Sequence, residues 1–378
     1  MQAADTRLTS LVAYVRDVAV DQCRVGLRRL LDLLGGLEQF VHPGHRVFIK
    51  PNFVAPFQDA VTSCALLAAI ISLVRDAGGK PLIGESSGFE FDTAHTFKAL
   101  GLHDFAKAHG VPLLNLDDQD FVPMTVEEGP VRRLWIAQSA LEADVLINLP
   151  RLKRHSLTRV TLGMKNLFGL LRRDSRRLLH AWGIEAGIVV LNRMIRPDLT
   201  IVDGLTILSR AVYGRAEPAG VLVGSSDLWA LDPFCAGLLG VDFKRVPHII
   251  QWAGRDPQYQ IVGDTPPFVR NRDSRDSLLD RLYRLVFQGV YLADSAYAAF
   301  RPGHSLLPAV HYWLGVRPVI RSGDCTECGD CAETCPIDAI DVAGRRIIPS
   351  ACMSLRCLRC VQVCPENAIE VKGWRRPD

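Results

Sequence analysis

Eight of the chain's 11 cysteines fall between Cys325 and Cys364, and the other three, Cys23, Cys64 and Cys235, stand alone. Thiols gathered that densely are either oxidised to disulfides or share a metal. Residues 7 to 20 mix Arg7, Arg16 and Asp17 with short apolar stretches and contain no uninterrupted apolar run. A secretory leader, and with it a disulfide framework, is therefore not expected, and the expected compartment is the cytoplasm. Spacing then decides the metal. Cys325-x2-Cys328-x2-Cys331-x3-Cys335-Pro336 is a run in which soft thiolates wrap an iron–sulfur cluster and the fourth cysteine, turned away by its proline, reaches a second one. Four-cysteine zinc sites instead show two separated CxxC pairs.

The second half repeats the first at an offset of 29. Cys328, Cys331, Cys335 and Pro336 fall on Cys357, Cys360, Cys364 and Pro365, and Ala339-Ile340 falls on Ala368-Ile369. Two such halves predict a small α+β ferredoxin-like domain over residues 321–372 that binds two 4Fe-4S clusters. Cys325, Cys328, Cys331 and Cys364 are expected to hold the first cluster, and Cys335, Cys357 and Cys360 the second with one more ligand. The offset carries Cys325 onto Ser354, so that ligand is expected to be Cys352, delivered by a two-residue bulge. If Cys352 misses, the second site keeps an open iron or a three-iron cluster. Glu327, Asp330 and Glu333 surround the first half, while Arg356 and Arg359 flank the second. Positive charge stabilises a reduced cluster, so the second half is expected at the higher potential.

A chain of 378 residues predicts two or three domains. Lys plus Arg number 44 against 41 Asp plus Glu, and a net charge of +3 gives no reason to expect nucleic acid or an anionic membrane as a partner. No window reaches ~18 consecutive apolar residues, so no transmembrane helix is expected.

Residues 1–253 read as an α/β domain with a mostly parallel sheet and flanking helices. Strands are expected at Arg46 to Ile49, Lys80 to Gly84, Asp144 to Leu149, Leu199 to Val202 and Val221 to Val223. Helices are expected at residues 64–77, stopped by Gly78-Gly79, and at 93–109, 157–171 and 228–239. Residues 254–320 read as a connection: a polar, proline-containing loop to residue 277, then an amphipathic helix to Phe300. Its stripe is Leu278, Leu282, Leu285, Gly289 and Leu292, and its aromatics Tyr283, Phe287 and Tyr291 suggest packing against another domain.

Polar residues gather where α/β domains place ligands, after the strands. Lys50 and Asn52 follow the first strand, Glu85 the second, Lys153 and His155 the third, Asp203 the fourth and Asp227 the fifth. Each alone reads equally well as a loop or cap residue. In the segment LTRVTLGMKNLFGLL, Thr161 and Lys165 lie four apart on one helical face, Asn166 is adjacent, and Gly163 and Gly169 permit close backbone approach. Lys165 in a pocket would anchor an anion or donate a proton; on an open face it would simply snorkel. Lys50, Lys153, His155 and Lys165 make the expected pocket positive, which suits a small carboxylate or phosphate. No nucleotide fingerprint is present, and no motif demands a flavin, although one between cluster and substrate would be compatible.

At these residues the chain resembles the proteins grouped as "domain of unknown function 362", many of which carry a C-terminal ferredoxin module. The matching stretches are Ile49-Lys50-Pro51-Asn52, Leu149 to His155, Val160 to Gly169, Asp203-Gly204 and Ser226-Asp227 through Asp232, together with the cysteine module. The resemblance implies an iron–sulfur oxidoreductase and names no substrate. The chain departs from the family in the Cys352 spacing and in residues 205–220, which lack a glycine-rich run.

The leading expectation is a ferredoxin-type reductase. A low-potential ferredoxin, flavodoxin or reductase would feed the clusters, Lys165 or His155 would supply protons as general acid, and Lys50, Asn52, Lys153, Asn166, Glu85, Asp203 and Asp227 would bind the substrate. The alternatives are an electron-transfer adaptor that docks a partner enzyme, favoured by an exposed apolar patch on the 277–300 helix, and a non-redox isomerase or lyase with an open iron. Oligomeric state is not legible.

Overall fold

The computed structural model describes residues 10–88, 91–127, 131–155, 157–208, 216–254, 256–267, 278–301, 305–307, 309–310, 317–335, 337–355 and 359–372. In chain order the α/β part runs β1 (Ser10–Val15), α1 (Cys23–Leu33), β2 (Arg46–Pro51), α2 (Cys64–Asp76), β3 (Lys80–Glu85), α3 (Thr93–Ala99), α4 (Leu102–Ala108) and β4 (Leu113–Asn115). It continues with β5 (Phe121–Thr125), β6 (Arg133–Ala137), α5 (Gln138–Leu141), β7 (Val145–Leu149), β8 (Arg154–His155), β9 (Arg159–Val160), α6 (Leu162–Asn166), α7 (Arg173–Trp182) and α8 (Ile184–Met194). It closes with β10 (Leu199–Leu208), β11 (Ala216–Ser225), α9 (Leu228–Leu238), α10 (Pro247–Ala253) and β12 (Tyr259–Gly263), and α11 (Leu278–Phe300) follows.

The sheet order is β12-β1-β11-β10-β7-β2-β3-β4. Every pairing is parallel except those of β11, which runs against both β1 and β10. The centre, β7 and β2, is buried along VLINL and from Val47 to Pro51. Such continuous burial is what a parallel strand covered on both faces requires. One face packs on α1 and α2 and the other on α6 and α9. Helix α2 is capped by Ser63, whose hydroxyl accepts from Leu66 N at 3.2 Å. It ends at Gly78, held at φ +78°, a left-handed backbone that glycine adopts without strain.

Three elements differ from the sequence reading. The 93–109 helix breaks into α3 and α4 at Gly101, φ +68°. The expected 157–171 helix begins only at Leu162. Before it, His155 Nδ1 accepts the backbone N–H groups of Leu157 and Thr158, at 3.1 and 3.2 Å, and these donors are lost to a helix start. The expected 254–277 loop contains β12, which pairs in parallel with β1 and extends the sheet past the expected boundary at residue 253.

Helix α11 seats its aromatics on α7: the Tyr291 ring lies 4.8 Å from that of His180, and Asp294 meets Arg177 at 2.7 Å. Its stripe of Leu282, Leu285, Gly289 and Leu292 faces outward, with Leu285 65% exposed. The side chains of Leu278 and Tyr283 lie outside the described residues.

In the C-terminal module, Arg317–Ile320 pairs with Ile369–Lys372 and Ile340–Asp341 pairs with Arg346–Ile347, both antiparallel. Short helices at Asp330–Glu333 and Arg359–Val363 occupy corresponding places in the two halves. The module rests on the α/β domain through Ile337, Val361 and Val371, which pack against Ala55, Phe57, Ala60 and Phe91.

Candidate functional site

Strands β2 and β3 deliver Lys50 and Glu85 to one edge of the sheet. Lys50 Nζ lies 2.7 Å from Glu85 Oε1 and donates to the Pro51 carbonyl at 2.8 Å. Both side chains are sealed from solvent. Burial pulls the Lys50 pKa down and Glu85 pulls it back up. The second Glu85 oxygen accepts from Phe53 N at 3.0 Å, and Ser86 N donates to the first at 2.8 Å. A Cβ on Gly169 would collide with Glu85 Oε1 and come within 2.8 Å of Lys50 Nζ, so glycine is required there.

Three asparagines extend this pair into a chain of hydrogen bonds. Asn52 Nδ2 donates to Asn166 Oδ1 and Asn166 Nδ2 to Asn148 Oδ1, each at 2.8 Å, and Asn148 Nδ2 donates to the Gly163 carbonyl at 3.0 Å. Lys153 Nζ donates to Asn52 Oδ1 and to the Ala60 carbonyl, both at 2.8 Å. Burial, with Lys165 and Arg151 adding positive charge, brings the Lys153 pKa down to about 7.

Lys165 differs from these. It is partly exposed, and among the described residues its ammonium has no hydrogen-bond partner. Burial lowers its pKa to about 8, with Glu185 acting to raise it and Arg176 to lower it. Leu162, at the head of its helix, holds φ +45°, a left-handed backbone that leucine rarely takes. Strain of that kind collects at functional sites.

His155 is brought beside the two lysines but in an unexpected state. Its Nδ1 is an acceptor, so its proton sits on Nε2. Burial, then Lys165 and Lys153, hold its pKa well below the ordinary imidazole value. The neutral imidazole is thereby favoured, with Nε2–H available as a hydrogen-bond donor.

Two carboxylates stand outside the group. Asp203 is buried against Arg151 at 2.7 Å and accepts from Ser63 N and Leu205 N, which ties β10 to the start of α2. Asp227 lies at the opposite edge of the sheet. Because β11 runs antiparallel, its end Ser225 pairs with Thr200, at the start of β10. Asp227 caps α9 there, accepting from Trp229 N at 2.8 Å and from the Ser10 hydroxyl.

Several participants escaped the sequence reading. Asn148 sits mid-strand in an apolar run, and a buried amide there had to be satisfied by something; that signal was available. Arg176 is buried, donates to the Ser87 carbonyl at 2.8 Å and reaches Asp117 at 3.2 Å. Asp232 accepts from Gly163 N and Met164 N at 2.8 and 2.9 Å, and burial raises its pKa to about 6. The His248–Glu185 pair lies within electrostatic reach, since His248 acts on His155 and Glu185 on Lys165. Asp232 falls in the stretch from Ser226 that the sequence reading singled out, whereas nothing local in the sequence marks Arg176, Glu185 or His248.

In the module, Cys325, Cys328, Cys331 and Cys364 line one cavity, the set expected for the first cluster. Among the described residues no group of three or more His, Cys, Asp or Glu side chains is placed to hold a metal ion. No two of the described cysteines are joined in a disulfide. The sulfurs of Cys335 and Cys364 accept backbone N–H groups from Ala339 and Ala368, each at 3.2 Å. Those pairs are related by the 29-residue repeat. Cys352, 6% exposed, joins Cys335 in one buried cluster with Ala339 and Ile337. Cys360 is buried, and Cys357 lies outside the described residues.

An α/β domain with a buried lysine–asparagine network, joined to a module of this kind, defines an iron–sulfur protein. The chain belongs to the family described as "Domain of unknown function (DUF362)", which it matches over residues 47–237, and residues 317–369 match the 4Fe-4S dicluster domain. A thylakoid-associated protein of Synechocystis sp. is 32% identical, over 58% of this chain and 71% of that protein. Among solved structures, the lactate racemase apoprotein from Thermoanaerobacterium thermosaccharolyticum aligns with a TM-score of 0.39 and 16% identity, over 60% of this chain. It covers 56% of that chain, just over half its length, and a likeness of this size assigns no substrate or chemistry. No helix among the described residues is long and apolar enough to cross a membrane.

Proposed function

We propose that the protein is an iron–sulfur oxidoreductase that reduces a small anionic substrate in the α/β domain, with Lys165 as proton donor. Two 4Fe-4S clusters, held by Cys325, Cys328, Cys331 and Cys364 and by Cys335, Cys352, Cys357 and Cys360, would supply single electrons. The donor would be a low-potential ferredoxin, flavodoxin or reductase, and the compartment the cytoplasm, where thiols stay reduced.

The observation that carries the reading is the state of Lys165. Its neighbours Lys50, Asn52, Lys153 and Asn166 all end on protein partners. Among the described residues, Lys165 alone of this group is partly exposed and has no hydrogen-bond partner for its ammonium. A pKa near 8 leaves it mostly charged at neutral pH yet able to release its proton. Lys153 and Arg176 act on it as cations and favour an anion, against the carboxylate of Glu185, and the neutral His155 would orient that anion through Nε2–H.

The test is anaerobic purification, iron and sulfide analysis with EPR, and then a screen of small carboxylates and phosphates for oxidation of the reduced protein. Lys165→Ala should abolish turnover and keep the iron; full activity would end its assignment.

A second reading, an adaptor that hands electrons to a docked partner, is favoured by the outward stripe of Leu282, Leu285 and Leu292 on α11. The thylakoid association of the cyanobacterial relative fits a protein that works at a surface. Loss of partner-dependent electron transfer in Leu285→Glu, with substrate reduction absent throughout, would decide for it.

A further inference from the structure

Lys153 is an expensive residue to bury at 3% exposure, and its two hydrogen bonds point in different directions. One, to Asn52 Oδ1, joins the asparagine network; the other, to the Ala60 carbonyl, joins the seat of the cysteine module. In that seat Ala60 shares an apolar cluster with Val361, the neighbour of Cys360, and with Ile337, which also packs in the buried cluster of Cys335 and Cys352. None of the seat residues lines the cavity of Cys325, Cys328, Cys331 and Cys364. Val361 packs with Cys325, Cys331 and Cys364 as well as with Cys360, so among the described residues the seat reaches the first half through Val361 and the second half through both Val361 and Ile337.

We propose that Lys153 is a redox-linked proton site. It takes one proton from solvent when one electron, from an external one-electron carrier, arrives in the half built on Cys335, Cys352 and Cys360, and it releases that proton when the electron leaves. The proposal rests on the two-cluster reading above. The Nζ lone pair becomes an N–H bond on uptake, and no other covalent bond changes.

Two features make the amine suited to this. A neutral –NH2 has two hydrogens and Lys153 has two acceptors among the described residues, so either protonation state keeps both bonds. Lys165 on α6, Arg151 and Lys50 on β2 act against its protonation and Glu85 on β3 acts for it; the neutral His155 lies beside it, and Arg151 is itself paired with Asp203. That cationic surround, with burial, sets the ammonium and the amine close in free energy at neutral pH. One added negative charge across an apolar seat then favours the ammonium. Linkage makes the effect reciprocal: protonation of Lys153 makes reduction easier.

The test is EPR-monitored potentiometry at several pH values from about 6 to about 9, spanning the protonation range of a buried lysine. One of two cluster signals should become harder to reduce as pH rises, its reduction equilibrium constant falling by up to ~10-fold per pH unit for one proton per electron. Lys153→Met should make that signal independent of pH. Phe57→Asp, which keeps the lysine and disrupts the seat, should weaken the slope. Glu327→Gln, which alters the wall of the first-half cavity, should shift only the other signal. A flat wild-type response, a slope that survives Lys153→Met, or a slope carried by the signal that Glu327→Gln moves would each overturn the proposal and leave the two-cluster reading standing. A single signal with about four irons per chain, the content of one cluster, would overturn both.

Discussion

In the α/β domain, Lys50, Glu85, Asn52, Asn148, Asn166 and Lys153 are buried and end on one another or on backbone carbonyls. In the cysteine module, Cys328 is exposed, Cys325 and Cys331 are partly so, and the paired strands are two to four residues long. The first region is organised by its own side chains. The second has too little apolar surface to fix eight thiols in place, so its order depends on what the thiols bind. The two regions therefore answer to different perturbations.

The most severe break in that comparison is metal removal. Anaerobic chelation should abolish amide protection across residues 317–372 and leave protection of β2, β3 and β7 intact. A module that stays protected without iron would erase the contrast. Next in size, Lys50→Met or Glu85→Gln should each cost about 3–5 kcal/mol in urea unfolding, because each leaves an uncompensated buried charge. The double variant should recover much of that loss.

Lys165→Ala should lower turnover by roughly 100-fold or more at pH 7 with little change in unfolding, as expected for a lost general acid. The wild-type rate should be full below the Lys165 pKa of about 8 and fall as pH rises through it, since the amine then has no proton to give. A rate that climbs with pH would make Lys165 a base. Gly169→Ala should cost about 1–3 kcal/mol through overpacking against the Lys50–Glu85 pair. Leu285→Glu should be the mildest, within about 0.5 kcal/mol in unfolding, because its site is already in water.

The legible parts of this fold are those with a local cause. Continuous apolar runs marked β2 and β7, glycines marked the end of α2, and cysteine spacing marked the module and its first ligand set. Strand direction has no local signature. Asp227 follows β11 in sequence as Lys50 follows β2, yet an antiparallel β11 carries it to the other edge. β12 was missed because YQIVG is short and lies among proline and charge. The start of α6 was misplaced because His155 competes for two backbone donors, which spacing alone does not reveal. Helix α11 is legible as amphipathic and its aromatics as a packing face, which Tyr291 provides beside the Asp294–Arg177 pair, but the sequence leaves open which way the leucine stripe faces.

The seat of the module also dictates which insertions the chain tolerates. Phe57 and Phe91 lie on the loops that follow β2 and β3, and those loops are pinned to each other: Ser87 Oγ donates to the Phe53 carbonyl at 2.9 Å and Gly88 N to that of Val54 at 3.0 Å. An added residue in either loop would lift the module and slacken the Glu85 site together. These two loops act as a gauge whose span is fixed from both sides.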